Sequence, residues 1–405
     1  MTLPVVNHPA ASASEVIKLV RELCRPLEAE RVSLANASGR ILREPVRATE
    51  DQPAFDRSSV DGFAVRMDDT TTRFRIVDEI RAGDWKPRRL QAGEAVRIAT
   101  GGALPDDGLQ VVMREDAERE GEFVSVPRRA DARNIRLRGE DARAGQNIIE
   151  PGIRLQPGAL GLMASVGCAQ PLVTRLPRVL HLATGNEIVP PEEQPQRGQI
   201  RDSNSTLVRA FLDQWRIQPT QLRVPEDEAA ARAALEGSAR EADLILISGG
   251  ASVGEHDFTR HLLEQFGFTI HVSKTTARPG KPLIVAQHGN TIAFGLPGNP
   301  LAHFVCLNLY VRAALEAFAG RVAESVFHTG VLLTELPADG NARETFWPAH
   351  WRLRDGVATL TPLRWSSSGD LTSLASTNAL IRVTAGAERL ERSRWVEFVS
   401  TEMTA

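Results

Sequence analysis

The segment that decides the fold reads LILISGGASVGEHD and occupies residues 244–257. Its branched aliphatic start is typical of a strand that is buried on both faces of a parallel sheet. The strand ends in a glycine-rich loop that carries hydroxyl groups and carboxylates. Ligands of open parallel sheets bind outside the carboxyl ends of such strands, so the loop with Ser248, Gly249, Gly250 and Asp257 is a candidate binding loop. Alone, one such loop is equally compatible with a tight structural connection.

Later segments repeat this arrangement of a strand followed by glycine and proline. They read ARPGKP at residues 277–282 and IAFGLPGNP at residues 292–300. Asn299 suits a helix N-cap and Pro300 suits the first turn, so we predict a helix over 301–318 with its free N–H groups facing the loop. Such helix starts attract anions. The upstream segment VLHLATGNE at residues 179–187 has the same form, and we expect these loops to converge on one crevice.

Hydrophobic patterning predicts a multidomain α/β protein. Strands alternate with helical windows near residues 205–215, 228–239 and 258–266, which predicts right-handed βαβ units and a doubly wound, mostly parallel sheet. An amphipathic helix is expected over residues 13–27, and short alternating runs before residue 145 indicate a β-rich domain. Short strand-like runs after residue 327 indicate a small β-barrel or sandwich.

Composition limits the function classes. The chain has 405 residues, with 48 basic and 51 acidic side chains and a net charge of −3, so several cores are expected and nothing favours a nucleic-acid partner. Cys24, Cys168 and Cys306 are far apart and form no CxxC pair, which argues against zinc, iron–sulfur and disulfide frameworks. No leader peptide and no run of about 18 apolar residues is apparent, so we predict a cytoplasmic protein without a membrane anchor.

Motifs along nearly the whole chain resemble those of the molybdopterin molybdenumtransferase family, which includes the E domain of gephyrin. The shared motifs, in the family's order, are DGFAVR (61–66), RIATGGALP (97–105), VVMRE (111–115), RGED (138–141), TGNE (184–187), SGG (248–250) through Asp257, PGKP (279–282), GLPGNP (295–300) and SSSGDLTSL (366–374).

The resemblance implies a domain plan and an activity. The plan is a discontinuous helical/β domain (1–47 and 145–177), an inserted β-rich domain (48–144), an α/β molybdopterin-binding domain (178–326) and a C-terminal β-barrel domain (327–405). The activity is insertion of molybdenum from molybdate into adenylylated molybdopterin, with Mg²⁺ required and AMP released. The resemblance also implies a homodimer whose cleft is shared between protomers, with the molybdopterin adenylyltransferase and acceptor apo-molybdoenzymes as further candidate partners.

Cationic side chains are required to bind molybdate and the substrate's phosphates. Lys281 and Arg278 flank Pro279 and Gly280 on a short loop, so both are candidates for the same anion, and arginine would add a bidentate fork. The family more often has lysine at the position of Arg278. Surface salt bridges are the alternative reading for both residues.

Carboxylates on the strand-end loops are candidate Mg²⁺ ligands. Mg²⁺ needs only one or two carboxylates besides substrate phosphates and water, and Glu187 and Asp257 are the first choices. Asp227 is equally compatible with a substrate contact and with a helix N-cap. Asn186 stands where the family commonly has aspartate, which removes one acidic candidate.

The resemblance assigns the remaining site residues. In the family the second protomer completes the cleft with motifs that correspond to Asp61, Thr100, Arg136 and Asp141. The candidate catalytic residues are Asp61, Thr100, Asp141, Asp257 and Lys281. The candidate substrate-binding residues are Arg136, Thr184, Glu187, Asp227, Ser248, Gly249, Gly250, Arg278, Pro297, Asn299, Pro300 and Ser368.

Two alternative functions stay open at this point. A molybdopterin adenylyltransferase would resemble residues 178–323 alone, and the additional domains argue against it. A non-catalytic scaffold or cofactor carrier of the gephyrin type would not need the acidic and basic site residues, which argues for an enzyme.

Overall fold

The computed structural model describes residues 10–128, 131–238, 241–249, 255–321, 325–337 and 340–402, and only the backbone of residues 238 and 255–257. By internal contacts the chain forms two compact units. One unit comprises residues 1–30 and 174–405, and the other comprises residues 31–173. The finer division into four domains stays a prediction.

Helices account for a minority of the described residues. The α-helices are α1 (Ala13–Leu23), α2 (Leu34–Ala37), α3 (Pro157–Ser165), α4 (Asn204–Asp213), α5 (Glu228–Ser238), α6 (Glu255–Gln265), α7 (Pro300–Cys306) and α8 (Arg312–Ala319), and a π-helical segment (Leu307–Val311) joins α7 to α8.

Strands supply most of the regular structure. They are β1 (Ala29–Arg31), β2 (Val46–Arg47), β3 (Arg57–Ser58), β4 (Gly62–Arg66), β5 (Arg73–Ile80), β6 (Glu94–Ile98), β7 (Leu109–Met113), β8 (Glu118–Glu120), β9 (Phe123–Ser125), β10 (Ile135–Arg136), β11 (Asn147–Ile149), β12 (Leu172–Thr174), β13 (Val179–Thr184), β14 (Ile188–Val189), β15 (Ile200–Arg201), β16 (Thr220–Val224), β17 (Leu244–Ser248), β18 (Thr269–Lys274), β19 (Pro282–His288), β20 (Thr291–Leu296), β21 (His328–Leu332), β22 (Thr345–Arg354), β23 (Val357–Pro362), β24 (Ala379–Val383) and β25 (Trp395–Ser400).

The unit of residues 31–173 is built around a six-stranded sheet in the order β7-β4-β6-β5-β9-β8. Alternate residues of β4 enter separate cores, with Ala64 in one and Phe63 and Val65 in the other. Successive side chains of a strand point to opposite faces, so both faces of this sheet are covered. The expected β-rich domain is confirmed.

The other unit contains the expected α/β sheet, in the order β16-β13-β17-β20-β19-β18. Strands β16, β13, β17 and β20 are parallel to one another. Strand β19 runs antiparallel to β20, and β18 runs antiparallel to β19. Only Gly289 and Asn290 separate β19 from β20. A two-residue connection permits only an antiparallel hairpin, since parallel strands need a crossover of a dozen or more residues.

The uninterrupted apolar run of β17 follows from its central position in this sheet. Leu244 and Leu246 enter the core formed with α1, α4 and the helix from Pro300 to Ala319, while Ile245 and Ile247 enter the core formed with α5 and α6. Helices therefore pack on both faces, as the prediction of a doubly wound sheet requires.

One helix is apolar over most of its length, although His303, Asn308, Arg312 and Glu316 interrupt the apolar run. The helix Pro300–Ala319 spans 20 residues and passes the length and hydropathy criteria for a membrane span, and it is the one helix to do so within the described residues. Of its most apolar window, 89% is buried inside the protein. A core helix of a large sheet meets the same criteria, because burial in protein and in lipid select similar side chains.

The C-terminal part closes into a five-stranded barrel in the order β21-β23-β22-β24-β25. Its interior contains Leu332, Leu360, Ile381 and Phe398. The barrel alternative is thus confirmed over the sandwich. The first residues of β22 pair with the loop before β19, since Arg278 N donates to Glu344 O over 2.8 Å and Phe346 N donates to Arg278 O over 2.7 Å.

Candidate functional site

A cavity of about 270 Å³ lies between the loop before β19, the start of α7 and loops of the barrel. Its lining includes the predicted residues Arg278, Lys281, Pro297, Asn299 and Ser368. These residues come from segments up to 90 positions apart in sequence, and the fold brings them together. The crevice that the repeated Gly-Pro loops predicted therefore exists for this part of the site.

The charge of the cavity suits a multiply charged anion. Lys281, Arg278 and Arg343 are its cations, and no carboxylate occurs among the described lining residues. Neither Lys281 nor Arg343 forms an ion pair within the described part of the chain. Hydroxyl groups of Ser367 and Ser368 add donors. Charge-assisted hydrogen bonds from such groups are roughly twice as strong as neutral ones.

Trp365 positions the guanidinium of Arg278. The Cζ atom of Arg278 lies 5.3 Å from the centroid of the Trp365 ring, which is a cation–π distance. The backbone of the same arginine is tied to β22, so its side chain leaves a fixed point. A lysine ammonium could make a similar cation–π contact, but it would not supply the planar bidentate fork of arginine.

The start of α7 differs from the sequence expectation. Asn299 occupies the N-cap position, but its side chain makes no cap hydrogen bond and its Nδ2 donates to Ser368 Oγ over 2.8 Å. The N–H groups of Leu301 and Ala302 donate to Ser368 O over 3.1 and 3.4 Å. The prediction of free N–H groups at this helix start is therefore wrong, and an anion in the cavity would be held mainly by side chains.

Asp370 organises the serine-rich loop. Its Oδ1 accepts hydrogen bonds from the hydroxyl and the N–H of Thr372, over 2.7 and 2.9 Å, and its Oδ2 accepts from Ser366 N over 3.1 Å. Chiefly through the Thr372 hydroxyl, these bonds lower the pKa of the carboxyl to about 2. A charged Asp370 thus fixes the turn that presents Ser367 and Ser368 to the cavity.

The carboxyl ends of β13 and β17 meet at one edge of the sheet. Thr184 Oγ1 donates to Ser248 O over 3.2 Å. Gly249 has φ +116°, and a Cβ at this position would lie 1.9 Å from Thr184 O. The contact therefore requires glycine, and Thr184 and Gly249 act first as neighbours in a close backbone approach. Gly250 lies outside the described residues, and the side chain of Asp257 also lies outside the described part.

The remaining strand-end residues are exposed. The carboxylate of Glu187 lies over Gly185, where an added Cβ would approach its Oε2 to 2.7 Å. Asp227 Oδ1 accepts a hydrogen bond from Ala230 N over 2.8 Å at the start of α5, so the N-cap reading of Asp227 is realised. Asn186 Oδ1 accepts from Glu226 N over 3.1 Å, which fixes the loop after β16 beside that after β13.

The described carboxylates offer limited metal coordination. Among the residues that the structure describes, no group of three or more His, Cys, Asp and Glu side chains could hold a metal ion. Mg²⁺ does not require such a group, because it commonly keeps several waters and binds through one or two carboxylates and substrate phosphates. The exposed Glu187 fits this water-rich type of site.

The candidate catalytic and binding residues in the unit of residues 31–173 form two local pairs, Asp61 with Thr100 and Arg136 with Asp141. Asp61 Oδ1 accepts from Thr100 N over 2.7 Å and from Thr100 Oγ1 over 2.8 Å, and these bonds hold the pKa of Asp61 below its usual value. Arg136 forms an ion pair with Asp141, and its Nε lies 3.2 Å from Glu140 Oε1. Strand β3 pairs with β10 and, through Arg57, with Ala103, so both pairs flank one strand.

Among the lining residues with polar or aromatic side chains, the candidate list from the sequence missed Arg343, Trp365 and Ser367. Trp365 and Ser367 adjoin or lie within the serine-rich motif, so extending the motif by one residue would have found them. Arg343 stands in an ordinary polar stretch and carries no local signal. Only the pairing of β22 with the loop before β19 places it here.

Comparison with family models covers most of the chain. Residues 11–167 match the MoeA N-terminal region (domain I and II), residues 181–317 match a probable molybdopterin binding domain, and residues 329–400 match the MoeA C-terminal region (domain IV).

Curated relatives match more than nine tenths of the chain. It is 34% identical over 399 residues to a molybdopterin molybdenumtransferase of Bacillus subtilis, with 94% of this chain and 93% of the relative covered. A protein of the same name from Nostoc sp. is 34% identical over 386 residues, with 91% of this chain and 88% of the relative covered.

Solved structures show the same fold. The molybdopterin biosynthesis MoeA protein of Pyrococcus horikoshii superposes with a TM-score of 0.80 at 26% identity, with 98% of this chain and 100% of that chain covered.

Proposed function

Because this chain belongs to the molybdopterin molybdenumtransferase family and so inserts molybdenum in cofactor biosynthesis, we propose that molybdate and adenylylated molybdopterin are its substrates. Two dithiolene sulfurs displace two oxo groups of molybdate without a change in the oxidation state of molybdenum. One oxygen passes to the adenylate phosphorus as the phosphoanhydride breaks, which gives AMP. The other oxygen leaves as water with the two thiol protons.

This proposal rests on the cavity lined by Lys281, Arg278 and Arg343, which is called the oxyanion cavity below. A doubly charged oxyanion suits three cations with hydroxyl donors and no carboxylate among the described lining residues. Its volume of about 270 Å³ suits molybdate together with one end of a larger substrate. Lys281 and Arg343 supply charge, Ser368 and Asn299 supply orientation, and Arg278 is held in place by Trp365.

We propose that Mg²⁺ binds with the substrate at the loops after β13 and β17. Glu187 and Asp257 would be its protein ligands, with waters and substrate phosphate completing the shell. When bound, the ion neutralises charge on the phosphoanhydride. Thr184, Ser248 and Gly249 would form the backbone platform below the substrate, with Gly250 a further candidate contact, and Asp227 orders the adjoining helix start.

We further propose that the protein acts as a homodimer and that Asp61, Thr100, Arg136 and Asp141 complete the partner's cleft. Helix α3 supports the dimer. It is apolar on all sides, yet Leu162 is 39% exposed and added Cβ atoms at Gly158 and Gly161 would meet nothing within 4 Å. A helix of this composition normally buries most of its surface, so a second copy is a suitable cover.

The cellular setting follows from the same proposal. The adenylylated substrate must come from a molybdopterin adenylyltransferase, and the finished cofactor must pass to apo-molybdoenzymes. Both steps involve an oxygen-sensitive dithiolene, which suits a reducing cytoplasm and the well-separated free cysteines.

The decisive experiment incubates the purified protein with adenylylated molybdopterin, Mg²⁺ and molybdate, and measures AMP release together with reconstitution of an apo-molybdoenzyme. We expect both signals to require molybdate. Loss of AMP release in Lys281→Ala but not in Lys86→Ala, a surface lysine in the other unit, would support the assigned cavity. Absence of AMP release at every molybdate concentration would favour the scaffold alternative.

A further inference from the structure

Two fully buried histidines lie beneath the binding loops of the α/β sheet. His181 belongs to β13 and His303 to the first turn of α7, and both are 0% exposed. Each donates to a residue at the carboxyl end of a neighbouring strand. A charge on His303 would lower the pKa of His181, so the two rings are close enough to influence each other.

The hydrogen bonds of Gln221 determine the tautomer of His181. Arg209 Nε can only donate, and it contacts Gln221 Oε1 over 2.9 Å; Ser205 O can only accept, and it contacts Gln221 Nε2 over 2.9 Å. The amide is thereby oriented, and its Nε2 also donates to His181 Nδ1 over 3.0 Å. His181 must therefore carry its proton on Nε2, from which it donates to Ser248 Oγ over 2.6 Å.

His303 has the opposite tautomer. Its Nδ1 lies 3.0 Å from the carbonyl oxygen of Pro297, which can only accept. The proton is thus on Nδ1, and Nε2 is a buried acceptor without a hydrogen-bond partner within the described part of the chain. An unpartnered buried acceptor is destabilising, so packing alone does not account for a histidine at this position.

The two proton recipients begin the two binding loops. Ser248 and Leu296 are register partners on β17 and β20, and Pro297 follows Leu296 directly. Ser248 immediately precedes Gly249 in the loop that leads to Asp257, and Pro297 lines the oxyanion cavity. Each imidazole therefore fixes the point at which one loop leaves the sheet.

We propose that His181 and His303 are positioning residues for the insertion reaction, acting as neutral imidazoles of opposite tautomer, with His181 setting the chain at Ser248 and Gly249 and His303 setting the oxyanion loop of residues 297–299. The assignment of separate steps to the two loops rests on the proposed function. Neither histidine touches the substrate; each acts through the backbone or hydroxyl that it holds.

The surroundings keep both rings neutral. Burial is the main cause that lowers the pKa of His181 to about 3 and that of His303 to about 4. Asp202, the one charged group that raises both values, is already engaged by Ser205 and by Arg223, whose Nη2 lies 3.2 Å from Asp202 Oδ2. An uncharged donor keeps its hydrogen bond across the working pH range, as a positioning group requires.

Steady-state kinetics test the division of labour. We expect His181→Ala to lower kcat about tenfold with the molybdate KM changed less than twofold, and His303→Ala to raise the molybdate KM about tenfold, as for loss of a buried hydrogen bond. His181→Gln and His303→Asn place an amide donor near the lost N–H and should recover most of the loss. His350→Ala, on the barrel, is the matched control and should match the wild type.

Nuclear magnetic resonance of protein with ¹⁵N-labelled histidine gives a readout that does not depend on activity. The wild-type signals that disappear in His181→Gln are assigned to His181, and those that disappear in His303→Asn are assigned to His303. We expect the wild-type signals of His181 to show a protonated Nε2 and an unprotonated Nδ1, and those of His303 to show the reverse. A purely structural role predicts equal loss of active protein in both alanine variants, without the split between kcat and KM.

The outcomes separate this inference from the proposed function. Identical tautomers at the two positions, or a charged imidazole at pH 7.5, would overturn the inference even in a fully active enzyme. If the wild type releases no AMP while the two tautomers are as expected, the proposed function fails and the hydrogen-bond assignment stands, but the kinetic roles fall with the function.

Discussion

Arg343 shows how a single side chain completes the oxyanion cavity. It lies outside every motif, yet it is one of three cations there and has no carboxylate partner within the described residues. We expect Arg343→Ala to raise the molybdate KM tenfold or more, because hydrogen bonds to charged groups contribute about 1.5–3 kcal/mol. The measurement is AMP release as a function of molybdate concentration.

Two further variants control this prediction. Arg343→Lys retains charge without the planar fork and should recover part of the affinity. Arg354→Ala removes an arginine from the outer face of the barrel and should leave the KM unchanged. A molybdate KM equal to that of the wild type in Arg343→Ala would remove the residue from the site.

The buried histidines also predict an acid limit to stability. Their folded pKa values lie below the ordinary value of 6.5, so the unfolded chain binds more protons and stability rises with pH. The stabilisation is complete above pH 6.5 and is lost as the pH falls toward about 4 for His303 and about 3 for His181, at up to about 2.7 kcal/mol per pH unit while both groups contribute.

Thermal unfolding midpoints between pH 8 and pH 4.5 check this expectation. The double variant His181→Gln, His303→Asn should show a shallower pH dependence over that window. Asp202 and Asp243 have lowered pKa values. The stability that these two carboxylates contribute is therefore lost mainly at pH values below the window of this experiment. An unchanged slope in the double variant would assign the acid sensitivity to other groups.

Residue roles differed in how far the sequence could reveal them. Asp227 was recognisable as a cap because the capping residue and its helix are adjacent. The side chain of Asn299 was not predictable, since Ser368 arrives from the barrel and replaces the local cap. Tertiary partners, unlike caps, leave no trace in the neighbouring sequence.

At the scale of elements, the approach of β17 to β13 depends on Gly249. A Cβ at Gly249 would lie 1.9 Å from Thr184 O, and the backbone has a positive φ. We expect Gly249→Ala to lower the thermal midpoint by several degrees and to reduce kcat, because both the strain and the displaced loop act at the site.

Gly237 provides the matched control. It lies in α5, where an added Cβ meets nothing within 4 Å. Gly237→Ala should therefore stabilise the helix by about 0.5–1 kcal/mol. Equal midpoints for the two variants would contradict the claim that the Thr184 contact requires glycine.

Periodicity predicted elements better than pairing direction. The helices at residues 204–213, 228–238 and 300–319 agree with the expected windows to within a few residues, because their apolar stripes face one core each. Strands β18 and β19 read like the parallel strands, yet the two-residue hairpin between β19 and β20 sets β19 antiparallel to β20, and β18 pairs antiparallel with β19. The direction depends on the connection and not on the strand residues.

At the scale of the whole molecule, the shared-cleft proposal predicts complementation. Asp141→Ala and Lys281→Ala alter different units of the chain and should each be nearly inactive as homodimers. After the two are unfolded and refolded together, random pairing leaves about a quarter of the clefts intact. We expect recovery of roughly that share of AMP release.

A double variant that carries both substitutions on one chain, mixed with either single variant, is the control. The double variant supplies neither Asp141 nor Lys281. If each cleft uses Asp141 of one chain and Lys281 of the other, no cleft in its dimer with either single variant is intact. Activity of the refolded mixture no greater than the sum of the homodimers would argue that each chain forms its own site.

The fold of the whole chain was largely predictable, whereas the composition of the cavity was not. Buried strands, glycine turns and the family motifs indicated a sheet domain, a β-rich domain and a barrel. The cavity combines the loop before β19 with residues 343 and 365–368. Nothing in a linear pattern states that these segments meet.

The pairing of β22 with Arg278 has a consequence for protein engineering. A third of the described lining residues of the oxyanion cavity belong to the small closed barrel, which is covalently linked to the sheet. The two parts of the cavity therefore meet at an effective concentration in the millimolar range or above. Separate expression of the barrel would replace this intramolecular encounter with a bimolecular one, in which Phe346, Leu380 and Val399 of the barrel must regain their places in the core of the sheet's helices. A split version of the protein should therefore need a dimerising tag, and the tag's affinity would then regulate turnover.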